Sequence, residues 1–317
     1  MNTSARHAAG TAADGSGAAV EIRGLVKTFG SFRAVDRLDL TVERGEVHGF
    51  LGPNGAGKST TIRTLLGLYR ADAGTLRVLG HDPATDPAAL TRRVSYVPGD
   101  VALWPNLTGQ QVLDALAGLR GNYDQRAERE LVDAFSLDPR RRVRTYSKGN
   151  RQKVMLVAAF AARTDLVVLD EPTSGLDPLM EEVFQACVRN AAAAGRTVLL
   201  SSHILGEVDR LCASVTIIKD GRLVEAGELA DLRHLASARI TAQVPAQSIP
   251  ALRTALTQVN AVASAGLGED GALDLPVPQD DVPQVLGRLL DAGATELTCT
   301  PATLDDLFLR HYEVAAR

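Results

Sequence analysis

Residues Gly49 to Leu68 read GFLGPNGAGKSTTIRTLLGL. Gly52 to Ser59 fit the pattern G-x-x-x-x-G-K-[ST]. A short apolar strand pattern, VHGFL, enters this stretch. A helical pattern carried by Ile62, Leu65, Leu66 and Leu68 leaves it. Strand, glycine loop and helix are the context in which such a loop cradles phosphate. Gly52, Gly55 and Gly57 let the backbone curl until successive N–H groups face one anion. The helix N-terminus adds its partial positive charge at the same point. Lys58 then reaches the β- and γ-phosphates, Ser59 offers a hydroxyl to Mg²⁺, and Thr60 adds a contact in the first helical turn. A loop that binds nothing would bury Lys58 unpaired beside free backbone donors, which is costly. The stretch therefore predicts a nucleoside triphosphate site.

The 317 residues suffice for two domains of ordinary size. The hydrophobic fraction of 45% allows a large core, and the formal charge of −4 gives no reason to expect nucleic acid as a partner. Cys187, Cys212 and Cys299 are far apart and show no metal-ligand spacing. The longest apolar run, Val154 to Ala162, is too short to span a bilayer. Residues 1–19 are small and polar and read as a disordered tail. Any membrane connection is expected to run through another protein.

Working outward, AVEIRGL from Ala19 and AVDRLDLTV from Ala34 alternate like strands, so a small antiparallel sheet is expected before the nucleotide strand. Phe29 lies near a turn of that sheet and offers a flat ring to a nucleobase. Further strands are expected at Thr75 to Leu79 and Arg92 to Val97. A helical stretch should follow Thr108, broken near Gly121. Arg140, Arg141, Arg142 and Arg144, with Lys148, Arg151 and Lys153, make a locally basic stretch that suggests an electropositive rim near phosphate.

Leu166 to Leu169 is a continuous apolar run, as in a parallel strand buried on both faces. It ends in Asp170-Glu171-Pro172. Carboxylates at that strand end lie on the ligand edge of an open α/β sheet. Asp170 is placed to hold Mg²⁺ directly or through water, and Glu171 to poise the attacking water as general base. A second such strand, Thr197 to Ser201, leads to Ser202-His203, and a neutral imidazole there can sense the γ-phosphate. Asp220-Gly221 is a hairpin turn. After Gly227 a β-α-β-α-β order suggests a small α/β domain, ferredoxin-like, with a last helix from Leu304 to Tyr312. It carries no catalytic cluster.

Together these residues resemble the nucleotide-binding subunits of ATP-binding cassette transporters, over roughly residues 20–228. GPNGAGKST resembles the P-loop. YSKGNRQ, Tyr146 to Gln152, resembles the family signature LSGGQ. VVLDEP resembles the Walker B strand, SGLD the D-loop, and His203 the switch histidine; Phe29 falls where the family stacks adenine. Tyr96 to Gly109 looks like the version in bacterial drug- and antibiotic-resistance exporters.

The resemblance implies a RecA-like P-loop NTPase core (20–228) with an N-terminal antiparallel β subdomain and a helical subdomain (about 105–163), then an accessory α/β domain (229–317). It implies ATP and Mg²⁺ as ligands, with Asn54 and Asp177 among the nucleotide contacts. It also implies a head-to-tail homodimer in which Ser147 and Gly149 of one copy face the γ-phosphate of the other. The implied place is the cytoplasmic face of the membrane, beside a separate permease.

Tyr146, Lys148 and Asn150 stand where the signature has leucine, its first glycine and glutamine. Gly99 stands where the family carries a glutamine that reaches Mg²⁺ and water, and the neighbouring Asp100 could supply an oxygen instead. The competing reading is a soluble ATPase of the same superfamily acting as a switch or in DNA repair. Its expected coiled coils or second cassette have no trace in the sequence.

Overall fold

The computed structural model describes residues 17–120, 122–235, 237–257, 259, 267–268 and 270–300. The expected helix from Leu304 and residues 1–16 of the expected tail lie outside them. Ala19, assigned to that tail, is fully buried and its N–H donates to Val42 O at 2.7 Å.

A first sheet pairs β1 (Val20–Phe29), β2 (Phe32–Val42) and β4 (Ala73–Val78) in the antiparallel order β2-β1-β4. The central sheet is built from β3 (Val47–Leu51), β5 (Val94–Val97), β6 (Leu166–Asp170), β7 (Thr197–Ser202), β8 (Ser214–Lys219) and β9 (Arg222–Glu228). Its order is β5-β6-β7-β3-β8-β9, parallel except for the last pair. β8 and β9 are joined through Asp220 and Gly221, both at positive φ, as a tight hairpin demands.

The apolar runs are continuous because both faces of this sheet are covered. Leu166, Val168 and Leu199 point to one side, where they meet Ile62 and Leu65 of α1 (Lys58–Leu65) and the antiparallel sheet. Val167, Leu169, Val198 and Leu200 point to the other. There they meet α6 (Pro178–Ala193) and the helical subdomain of α3 (Gly109–Arg120), α4 (Gln125–Ala134) and α5 (Lys148–Ala161). The short α2 (Pro87–Thr91) and α7 (Leu205–Leu211) complete the flanks.

Some element ends differ from expectation for local reasons. Gly67 at φ 72° closes α1, leaving Leu68 outside the helix and 62% exposed. α5 begins six residues before the apolar run, because Ser147 caps it by accepting from Asn150 N at 3.2 Å. Thr108 and Gln111 cap α3 reciprocally.

After α8 (Leu229–Leu235), β10 (Ser237–Gln243), α9 (Ile249–Thr257), β11 (Ala272–Pro278), α10 (Val282–Asp291) and β12 (Thr295–Thr300) form an antiparallel sheet of order β11-β10-β12 with a separate apolar cluster. This is the helix-backed α/β unit expected after Gly227.

Phe184 of α6 is fully buried and meets Phe160 of α5 edge-on at 6.4 Å, joining the helical subdomain to the sheet. Phe184→Ala is expected to cost about 3–5 kcal/mol, read as a lower urea midpoint by circular dichroism. A midpoint unchanged from the parent would contradict this packing.

Candidate active site

Three chain segments converge at the C-terminal ends of neighbouring strands β6, β7 and β3, the edge where open α/β sheets bind ligands. The loop after β3 carries the glycines. Gly57, at φ 103°, has no room for a side chain, since a Cβ there would lie 2.6 Å from Ala34 O. The first amides of α1 have no intrahelical acceptor and open onto a cavity of about 250 Å³. That cavity is lined by Phe32, Asn54, Lys58, Ser59, Thr60 and Glu171, among others. Two larger cavities, of about 720 and 810 Å³, lie along the helical subdomain without such a ring of backbone donors.

Lys58 is only 4% exposed. Its ammonium donates to Gly52 O at 2.6 Å and Pro53 O at 3.2 Å, and lies 3.5 Å from Glu171 Oε1. Burial lowers its pKa, and the charges of Glu171 and Asp170 oppose that shift. The same Glu171 oxygen is 3.3 Å from His203 Nδ1. Glu171 itself sits at φ 48°, a left-handed conformation that costs a non-glycine residue about 1–3 kcal/mol. Its N–H donates to Ser201 O at 2.9 Å, so β7 holds it in that turn.

Asp170 is buried, and burial raises its pKa despite hydrogen bonds from the Ser59 and Ser201 hydroxyls. Ser201 Oγ donates to Asp170 Oδ1 at 3.1 Å. Thus Ser59 and Asp170, distant in sequence, share one polar contact beside the phosphate loop. Gly99 packs against Asp170 and Glu171: a Cβ there would lie 3.0 Å from Asp170 O and 3.6 Å from Glu171 Cβ. Asp100 is exposed on the loop after β5, and no described hydrogen bond ties it to Asp170 or Ser59.

The remaining expected residues lie elsewhere in the same chain. Ser147 and Gly149 form the N-terminus of α5, and a Cβ on Gly149 would collide with Gly175 O. Lys148 Nζ donates to Ser174 Oγ at 2.6 Å, joining the signature stretch to the SGLD loop. Asp177 caps α6 through Met180 N at 3.1 Å. None of these lines the cavity of its own phosphate loop. The arginine run is exposed and bonds through its backbone to residues 105–109, away from that cavity.

Phe29 stands edge-on to Tyr69 at 5.4 Å, with Lys27 Nζ 5.4 Å from its ring centre. The ring that lines the cavity is Phe32, 64% exposed and register-paired with Phe29 across the hairpin. Phe32 is signalled in the sequence only by its spacing from Phe29, two aromatics separated by a two-residue turn. Ser201 was missed because its partner, Asp170, is 31 residues away.

Comparison with known proteins agrees with this geometry. Residues 35–174 match the family described as ABC transporter. The daunorubicin/doxorubicin resistance ATP-binding protein DrrA of Streptomyces peucetius is 38% identical over 278 residues, covering 86% of this chain and 81% of that protein. The Nod factor export ATP-binding protein I of Ralstonia nicotianae is 32% identical over 303 residues, 93% of this chain and 94% of that protein. A solved structure of an ATP-binding subunit of an ABC transporter superposes with a TM-score of 0.64 at 33% identity, covering 68% of this chain and 92% of that one.

If Phe32 carries the base, Phe32→Ala weakens ATP binding about 5-fold or more, as loss of one aromatic stacking contact does. Phe29→Ala should weaken it less. Calorimetric titration with ATP distinguishes the two, and a larger loss for Phe29→Ala would return the stacking role to that ring. With its phosphate loop, its carboxylate pair and its histidine on one sheet edge, the chain belongs to the ATP-binding subunits of ABC transporters.

Proposed function

We propose that this ATPase drives a separate membrane permease by closing and reopening a head-to-tail dimer of identical copies. The observation that carries the reading is the shared carboxylate: Glu171 Oε1 lies within 3.5 Å of Lys58 and 3.3 Å of His203. Asn54, Gly55, Gly57, Lys58 and Thr60 receive the triphosphate, and the aromatic hairpin receives the base. Glu171 orients the attacking water and takes its proton, and His203 holds Glu171 and the γ-phosphate in line. Ser147 and Gly149 sit at a helix N-terminus outside their own cavity, so a second copy must bring them to the γ-phosphate. Asp177 stands at the start of α6 near that junction.

Mg²⁺ fits the donors present. Ser59 and Asp170 are hard oxygen ligands in mutual contact, and Mg²⁺ takes few protein ligands beside phosphate and water. Among the described residues no group of three or more His, Cys, Asp or Glu side chains could hold a metal alone. Bound there, the ion would neutralise phosphate charge. Asp100 is an additional candidate ligand.

Among the described residues no helix is long and apolar enough to cross a membrane. Because its relatives are named as ATP-binding proteins of resistance and export systems, we assign the transport path to a partner permease and place this chain on the cytoplasmic face. Export of a drug or antibiotic is the direction suggested by relatives named for daunorubicin resistance and Nod factor export. The longest described helix has 16 residues, which disfavours a coiled-coil switch or repair ATPase.

Glu171→Gln is expected to lower Mg²⁺-ATP turnover about 100-fold or more, and to elute as a dimer in ATP on size exclusion. A mutant that turns over like the parent would overturn the assignment of the base. One that stays monomeric in ATP would overturn the sandwich.

A further inference from the structure

A buried carboxyl outside the chemistry described above lies close to it. Glu207 lies on α7, just after His203, and is 3% exposed. Ser202 Oγ donates to Glu207 Oε2 at 2.7 Å and accepts from Ile204 N at 3.0 Å. Ser202 is itself 2% exposed and immediately precedes His203. The other carboxyl oxygen, Oε1, is buried without a hydrogen-bond partner.

A carboxyl in this position is expensive to keep. Burial raises its pKa, Glu181 adds to that shift, and Ser202, Thr173 and Arg210 oppose it. An apolar side chain of the same length would fill the space without that cost. What the carboxyl supplies is a hold on Ser202, the residue before His203, that no backbone hydrogen bond of α7 provides. The 3.3 Å contact of His203 with Glu171 depends on where that loop stands.

We propose that Glu207 is a positioning residue for hydrolysis: its carboxyl holds the Ser202 hydroxyl, and so sets the adjoining His203 against Glu171. The inference rests on the roles of Glu171 and His203 proposed above. Hydroxyls rotate to serve either an oxygen or an amide, so Glu207→Gln keeps the Ser202 contact, whereas Glu207→Met keeps volume and loses it.

The test compares the parent full chain, Glu207→Gln and Glu207→Met. The readouts are Mg²⁺-ATP turnover, ATP affinity by calorimetry, and the His203 ring resonances by NMR, assigned with His203→Gln. The Met variant should lose about 10–100-fold in kcat, as expected of a reacting group misplaced by about an ångström. Its ATP affinity should stay within about 3-fold of the parent, since Lys58 and the phosphate loop are untouched. The Gln variant should retain kcat within about 3-fold, and its His203 resonances should overlay the parent's while those of the Met variant move. Should the Met variant fail to fold, Ser202→Ala carries the same test, with the same kcat loss and the same His203 shift expected.

A Met variant with parental kcat and parental His203 resonances would overturn the proposal. So would a Gln variant that falls as far as Met. The NMR comparison needs no turnover, so a parent chain that fails to hydrolyse ATP would count against the proposed function and leave the positioning claim to be decided by the His203 resonances.

Discussion

The Lys58 ammonium is the constraint on which the site depends. An ion this deeply buried must be met by acceptors, or it will not stay charged. The loop meets it with the carbonyls of Gly52 and Pro53, and β6 meets it with the Glu171 carboxylate. That requirement brings two segments more than 100 positions apart to one sheet edge. It also accounts for the left-handed backbone of Glu171, which turns the carboxylate back toward the phosphate loop while β7 holds its N–H. Local strain and a buried charge are stored together where the chemistry occurs.

The layers around the sheet make this edge rigid. Because alternate residues of β6 and β7 face different apolar clusters, a one-residue slip of either strand would exchange the two sides and move Asp170 or Ser202 out of place. One layer ties the sheet to the aromatic hairpin that flanks the nucleotide cavity. The other ties it to the helical subdomain, whose α5 N-terminus is directed away from that cavity. The two layers thus hold the phosphate loop and the α5 N-terminus at separate places in one copy, which is what the proposed head-to-tail dimer requires.

Much of this was legible in the sequence because the signals are local. The phosphate loop, the strand ending in Asp170-Glu171 and the strand ending before His203 each lie within a short window, and both strands follow from unbroken apolar runs. What was not legible depends on contacts across distance or on turn geometry. The pairing of Phe32 with Phe29 requires the hairpin register, and the Ser59–Asp170 contact spans over 100 residues. Glu207 reads as an ordinary polar position on a short helix until its bond to Ser202 is seen. Ala19 looked like tail because nothing in its neighbours signals the Val42 contact. The early start of α5 was hidden by its polar first turn, which only the Ser147 cap explains.

In the proposed function, Lys58 exchanges its loop carbonyls and Glu171 for phosphate oxygens. Calorimetric titration of Mg²⁺-ATP into the parent chain and into Lys58→Ala tests it most directly. Loss of charged hydrogen bonds worth about 1.5–3 kcal/mol predicts an affinity lower by about 10-fold or more, with the circular dichroism spectrum unchanged. An affinity equal to the parent's in a folded Lys58→Ala chain would contradict the account.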